Sequence, residues 1–455
     1  MPRVEFPAGF LGVEDVPRTR RSLQNCFNNL EGKIISRPGI TGLNTTGFVA
    51  RGQFVWNGAL YQVVSQNLIK ITNTTTGAFS TIGTIAGNAV VETDVGFNEA
   101  VIVVKSTTGA IYTLDKSDTL VDISGNANFV PSTDVAFING RFVYIPFDGD
   151  PAFFSDVGAA GTVQPLSFFD AEELPDLNNS VFNFKNTLYI GGTDSFELFR
   201  DTGASPNPFT RVSGARVING YIGGLIEYTN TFLFIGREKD QDFGIYAIDQ
   251  GAAPKISNEA IDLILSTYDQ DELAAAIGGR LKWRGYDIAT FKLARDSFGF
   301  FGGNWFILDT VFDGVSKPWG GGFITQFDGE YFTAFSDKIG KFEKVNTDYG
   351  EQITRIIDTG FEDENDDFFT AQSVELGISQ GFNSAVGTVA LFMSRDNVTY
   401  GEPFYRDLGN VGQYQKHLIW NFPGGMGMYD GFMGIRIYTT EDVVFSANHL
   451  VVNFR

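Results

Sequence analysis

Through most of the chain, short runs of apolar or alternating residues are broken by small polar turns. VWNGALY (55–61) is one such stretch, with two strand ends meeting at Asn57-Gly58. The pattern recurs in VGFNEAVIV (95–103), VAFINGRFVYI (135–145), FNFKNTLYIGG (182–192) and IEYTNTFLFIG (226–236). LKWRGYDIATF (281–291) and TQFDGEYFTAF (325–335) complete the series. One turn residue per copy gives Gly58, Glu99, Gly140, Asn186, Asn230, Gly285 and Gly329, spaced 41, 41, 46, 44, 55 and 44 apart. Asn-Gly and Asp-Gly supply the positive φ that a two-residue hairpin needs. A second hairpin often follows, as in PFDGDPAFFSD after the copy at 135–145. Two hairpins in a repeat of about 40–45 residues predict a four-stranded β-propeller blade. The copies run from near residue 50 to near residue 345, room for six or seven blades. The competing architecture is a β-sandwich with evenly spaced strands.

One segment changes period. In ISNEAIDLILSTYDQDELAAAIGG (256–279), Ile261, Ile264, Leu265 and Tyr268 fall at helical spacing, with Ser257 as the expected N-cap. A second short helix is expected from Asp269, with Glu272 three residues on and Gly278 as terminator. This insert accounts for the long spacing of 55. Its apolar stripe is expected to face the propeller or a neighbouring subunit, and Leu263, Ile264 and Leu273 are its candidate subunit or adaptor contacts, with filling the core as the equal alternative for the same residues.

After about residue 350 the strands come at different intervals, in AQSVELGI, TVALFMS, YQKHLIWNF, FMGIRIYT and HLVVNF. They predict a C-terminal β-sandwich-like domain. The fold class is therefore all-β. The expected organisation is an N-terminal extended arm (1–47), a propeller platform (48–347) and the C-terminal β-domain (348–455). The arm has a second possibility, adding a strand to the last blade to close the ring.

Composition narrows the function. The chain has 455 residues, 43% of them hydrophobic, with Phe 44 and Gly 53, which is no disordered composition. The net charge is −21. A protein that grips nucleic acid through phosphates carries the opposite sign. Cys26 is the only cysteine, so neither an internal disulfide nor a Cys-based zinc site can form. The start, MPRVEFPAGFLGVEDVPRTRR, lacks the apolar run of a signal peptide, and no stretch is long and apolar enough to span a membrane. The expectation is a soluble protein made in a reducing compartment, with no stable membrane insertion.

Catalytic chemistry is thinly represented. The two histidines, His417 and His449, both sit in apolar strand contexts, where a structural role is expected. EDENDD (362–367) lacks the glycine and distal glutamate of an EF-hand loop, so Glu362, Asp363, Glu364, Asp366 and Asp367 read as a solvated acidic loop. SRDNVTYG (394–401) resembles the Asp-box turn, a hairpin staple in which Asp396 accepts backbone amides. GGMGMYDGFMG (424–434) lacks a phosphate-loop lysine and reads as a flexible loop or close backbone packing. Some propellers cleave glycosides with facing carboxylates. Nothing in this sequence picks out such a pair, so no catalytic, cofactor-binding or metal residue is assigned. A carbohydrate-binding or glycan-hydrolysing tail propeller is the alternative reading, and a generic propeller scaffold a third.

Three stretches resemble the packaged-DNA stabilisation, or tail hub and nozzle, proteins of short-tailed bacteriophages. NNLEGKIISRPGI (28–40) is similar to the family's N-terminal segment, with an Arg-Pro-Gly turn before the first blade. Residues 256–293 resemble its helical insert and following strands, with Trp305 in the downstream strand. Residues 389–446 resemble its C-terminal β-domain. The resemblance covers about a third of the chain, in the family's order. It implies a structural virion protein assembled in the host cytoplasm, and no enzyme. The implied partners are five further copies in a homohexamer, a portal–adaptor complex above, and a tail needle, fibre or spike below. Double-stranded DNA would pass through the lumen without tight binding, helped by acidic walls that repel phosphates.

Overall fold

A computed structural model describes the chain except residues 1–2, 11–20, 30, 150, 172–175, 240, 249–250, 313, 363–367, 380–386 and 415–416. Seven antiparallel sheets follow one another, at 50–84, 91–122, 132–169, 178–217, 220–248, 277–307 and 323–343. The first strand of each lies against the first strand of the next, and Phe323–Phe327 returns to Ala50–Trp56. The ring is closed and has seven blades. Each repeating hairpin of the sequence joins the first two strands of one blade. Asn57-Gly58, Asn139-Gly140, Lys185-Asn186, Arg284-Gly285 and Asp328-Gly329 have positive φ at both turn positions. The second strands, such as EAVIVV (Glu99–Val104) and RFVYIP (Arg141–Pro146), run apolar because neighbouring blades cover both their faces. Separate apolar clusters fill successive gaps. Val63 and Ile102 belong to one cluster between blades one and two, and Phe154 and Phe199 to another between three and four. Fully burying one such side chain contributes about 1.5–3 kcal/mol.

Among the described residues blade five has three strands. The insert follows it as two helices, α1 (Glu259–Leu265) and α2 (Gln270–Ala274). Asn258, and not Ser257, caps α1 through its side-chain oxygen. Ser257 instead donates to Asp262 at 2.5 Å and accepts from the Ile245 amide at 3.0 Å. Asp269 and Glu272 form the expected capping box on α2. The helix ends at Ala274, four residues before Gly278, which lies in the first strand of blade six.

The N-terminal segment is extended, but it is not a free arm. Its described residues form β1 (Arg3–Val4), β2 (Ser22–Gln24), β3 (Cys26–Asn28), β4 (Ile34–Ser36) and β5 (Gly39–Thr45). β5 pairs antiparallel with Lys338–Glu343 and is the fourth strand of blade seven. The chain's start thus closes the ring, the second possibility raised by the sequence. β2 lies parallel to the outer strand of blade six, at Gln24 and Ile307, and antiparallel to Arg355–Glu362. One nine-stranded sheet therefore runs from blade six into the C-terminal domain. β1 and β4 pair with Ser446–Phe454 on the other sheet of that domain, and β3 pairs with β4. Leu23, Cys26, Phe27 and Ile34 share one core with Val374, Leu391, Trp420, Ile435 and Leu450.

In the C-terminal domain, Asp396 accepts from the amides of Val398 (2.9 Å) and Thr399 (2.7 Å) and from the Ser394 hydroxyl (2.8 Å). These bonds to the charged form hold its carboxyl down at about 2. Of the two possibilities for the glycine-rich stretch, a flexible loop or close backbone packing, the structure has the second. It forms two strands, Leu418–Asp430 and Phe432–Thr439, in which a Cβ at Gly427 or Gly434 would meet a neighbour at 2.7 Å. The first is irregular, with positive φ at Gly424, Gly425 and Gly427.

Candidate assembly surfaces

The helical insert is fastened to the disc. Ala260, Ile261 and Leu265 are buried against Ile222, Leu233 and Ile245 of blade five. Leu273 is fully buried, and its carbonyl comes so close to Gly223 that a Cβ there would sit 2.4 Å away. Arg295 of blade six pairs with Glu272 at 2.5 Å and stacks 4.0 Å over Tyr268, whose hydroxyl donates to Asp296 at 2.6 Å. Of the three candidate contacts, Leu273 is core and unavailable to a partner. Ile264 is partly buried against the same cluster. Leu263 faces outward at 47% exposure.

The acidic run divides at the edge of the described residues. Glu362 ends a strand, exposed, with Arg21 at 3.5 Å. Asp363, Glu364, Asp366 and Asp367 lie outside the described residues. Among the described residues no three His, Cys, Asp or Glu side chains are grouped to hold a metal ion. His417 and His449 flank Glu375 on the C-terminal sheet at 3.2 and 3.9 Å. No described helix is long and apolar enough to cross a membrane.

Sequence reasoning missed the polar centre between the two domains. The Arg-Pro-Gly turn places Arg37 there, 3% exposed. Its guanidinium forks onto Asp348 at 2.9 and 2.5 Å and donates to the Asp309 carbonyl at 2.9 Å and to Asn25 at 2.8 Å. Asn25 donates to the Asp309 carboxylate and to the Thr354 carbonyl. Gln24 and Ser316 also bond Asp309, and Thr310 bonds Asp348 at 2.7 Å. Four chain segments meet at this network: the N-terminal strands, the turn after blade six, the connection at 348 and the entry to the C-terminal domain. Gly39, two residues after Arg37, is required by space. A Cβ there would lie 2.3 Å from the Thr347 carbonyl oxygen. The Arg-Pro-Gly turn was visible in the sequence, but its partners lie 272 and 311 residues away, beyond any local pattern.

Beside this centre lies Arg355, nearly fully buried and held by the Ser36 hydroxyl (2.7 Å) and the Glu441 carbonyl (3.0 Å). Burial first, and then the neighbouring Arg37, bring its guanidinium down to about 10. Burial pushes the Cys26 thiol up to about 12, so it stays protonated and unreactive at neutral pH. These features make a stiff joint between propeller and sandwich.

Two family models match the chain in sequence. The model described as Bacteriophage P22 Gp10, beta-propeller, covers residues 13–344, and Bacteriophage P22 Gp10, beta-sandwich, covers 354–453. Tail hub protein gp10 of Salmonella phage P22 is 22% identical over 332 residues, 69% of this chain and 68% of that protein. Among solved structures, the extracellular domain of a two component system from B. thetaiotaomicron aligns with TM-score 0.47 and 8% identity. That alignment covers 76% of this chain and 44% of that one, so the chain spans less than half of that structure's length. The Pan2 WD40 domain of Neurospora crassa aligns with TM-score 0.42 and 7% identity, over 68% of this chain and 95% of that one.

Proposed function

The chain belongs to the bacteriophage P22 Gp10 tail-hub family, and from that premise we propose that it is the nozzle of a phage tail, six copies of which ring the DNA exit channel. Its role in the tail is structural. In the proposed arrangement the ring sits below a portal and its adaptor, helps to retain packaged DNA, and carries a needle, fibre or spike at its lower end. The subunits assemble in the host cytoplasm. The observation that carries the reading is the match to propeller and sandwich models in that order along nearly the whole chain.

Physical features support it. A conduit under load needs a stiff subunit, and the sheet running from blade six into the sandwich supplies a continuous hydrogen-bonded path. A net charge of −21 favours passage of DNA over adhesion to it. The role of conduit and platform asks for no turnover.

The test is the mass of the purified protein in solution, followed by imaging with and without the portal–adaptor complex. A ring of six, or a monomer that becomes a ring on the adaptor, is the expected result. A strict monomer that ignores the adaptor overturns the nozzle reading and directs the next screen to glycans.

A further inference from the structure

Three depressions, neighbours through shared lining residues, mark out a trough across blades six and seven. The first, 520 Å³, lies at the joint with the C-terminal domain, between Trp283, Arg284, Tyr286, Lys344 and Phe445. A second, 470 Å³, shares Trp283 and Lys344 with it and is also lined by Lys282 and Tyr331. Those two residues also line the third, 360 Å³, which ends on the first strands of blades five, six and seven at the inner ring.

The trough departs from the charge of the rest of the molecule. Residues 91–217, blades two to four, carry 17 acidic and 7 basic residues, whereas residues 277–344 carry 8 and 9. Some cations here are already engaged. Arg280 pairs with Asp287 at 2.7 Å, and Lys341 with Glu330 and Glu343 at 2.8 and 3.0 Å. Lys282, Arg284 and Lys344 are exposed, and among the described residues none of them has a carboxylate partner. Arg284 instead lies 5.5 Å from the Trp283 ring, which is half-buried. A lone surface lysine is ordinary. Arg284 and Lys344 line the same depression as the partly open Trp283 indole, and Lys282 lines the two beside it; such cations next to an open aromatic ring are the composition of a protein-binding hot spot.

We propose that this trough docks an extended acidic segment of a partner protein. Its spaced carboxylates engage Lys282, Arg284 and Lys344, and an apolar side chain between them covers Trp283. The lining favours a peptide over a nucleic acid. Glu227, Glu330 and Glu343 interrupt the cations along the trough. A continuous phosphate backbone would meet each of them, whereas a peptide can place neutral residues there. The overall charge also opposes a polyphosphate. The site is independent of the six-fold ring, because it needs only one subunit.

The experiment uses the full chain and a fluorescein-labelled twelve-residue peptide with glutamate at alternate positions and tyrosine or valine between. Binding is followed by anisotropy at about 50 mM salt, where exposed charges are weakly screened. Saturable binding is expected, weakened about tenfold or more by Lys282→Glu/Arg284→Glu/Lys344→Glu and absent for the lysine analogue. Trp283→Ala should weaken it with little change in salt dependence. Melting curves check that the variants fold; if the triple variant does not, Lys344→Glu alone should still weaken binding measurably. No saturable binding, or binding indifferent to the charge reversal, overturns the proposal. So does a twelve-nucleotide dT strand or a sulfated oligosaccharide that binds as tightly and is lost in the same variant.

Discussion

Arg37, buried, and Lys292, partly buried, are two cations with opposite surroundings, and they should respond oppositely to removal. Arg37 is matched by Asp348, which is 0% exposed and would be left uncompensated in Arg37→Met. Breaking a buried pair from one side costs about 3–5 kcal/mol, while replacing both partners by apolar groups is often nearly neutral. Denaturant melts should therefore show Arg37→Met strongly destabilised and Arg37→Met/Asp348→Leu much less so. Equal losses would mean that the bonds to Asn25 and the Asp309 carbonyl matter more than the ion pair. Among the described residues Lys292 has no carboxylate partner. Its ammonium sits 3.5 Å from the centre of the Phe335 ring and donates to the Trp319 carbonyl. Burial lowers its pKa from the usual lysine value to about 7. Between about 7 and the unfolded value near 10.4, the unfolded chain holds a proton that the folded chain has released. Stability from this group thus rises with pH across that window, and its full cost is felt below pH 7. Lys292→Met should raise the melting temperature most at pH 6, with the gain shrinking toward pH 10. A gain that does not change with pH would place the ammonium in water.

At the scale of elements, the propeller was legible and the joint was not, for one reason. A blade is made of neighbours in sequence, so Asn57-Gly58 or Asp328-Gly329 announces its hairpin within a few residues. The strands β2, β3 and β4 have three residues each, and β2 and β4 pair with strands more than 300 residues away while β3 pairs only with β4 among the described residues, so they show no period. The insert was legible in kind. Its contact residues were not, because helical spacing marks an apolar stripe without saying what covers it, and Leu273 proved to be core. The N-cap moved from Ser257 to Asn258 because either side chain can cap, and Ser257 is taken by Ile245 and Asp262. The closing strand β5 carries a prediction of its own. It can enter blade seven only because Gly39 leaves room for the carbonyls of Thr347 and Val345. Gly39→Ala should displace the start of β5 and weaken ring closure. Hydrogen exchange should then quicken in 39–45 and 338–343 well before the other blades, and the melting temperature should fall. Uniform exchange through all seven blades would mean that the ring is held by blade packing and needs no closing strand.

At the scale of the molecule, strand pairing and core packing cross the boundary drawn by the sequence pattern near residue 350. The C-terminal sheets are completed from the other end of the chain. β2 pairs with Arg355–Glu362, and β1 and β4 pair with Ser446–Phe454. Leu23, Phe27 and Ile34 are 0–1% exposed within a core otherwise built largely from residues beyond 350. A fragment of residues 354–455 would expose that apolar surface and leave the outer edges of two strands unpaired, both routes to aggregation. It should be insoluble or molten alone, and become soluble when residues 1–38 are co-expressed as a separate chain. Cleaving the intact protein within 344–354 should, for the same reason, leave the two pieces associated until they are denatured. Size exclusion after cleavage, with near-ultraviolet circular dichroism of the fragment, decides the matter. A fragment that folds alone would make the N-terminal strands a clasp on a finished domain. Dependence on residues 1–38 would make the propeller and sandwich one cooperative body, so that force applied to either is carried through β2 to the other.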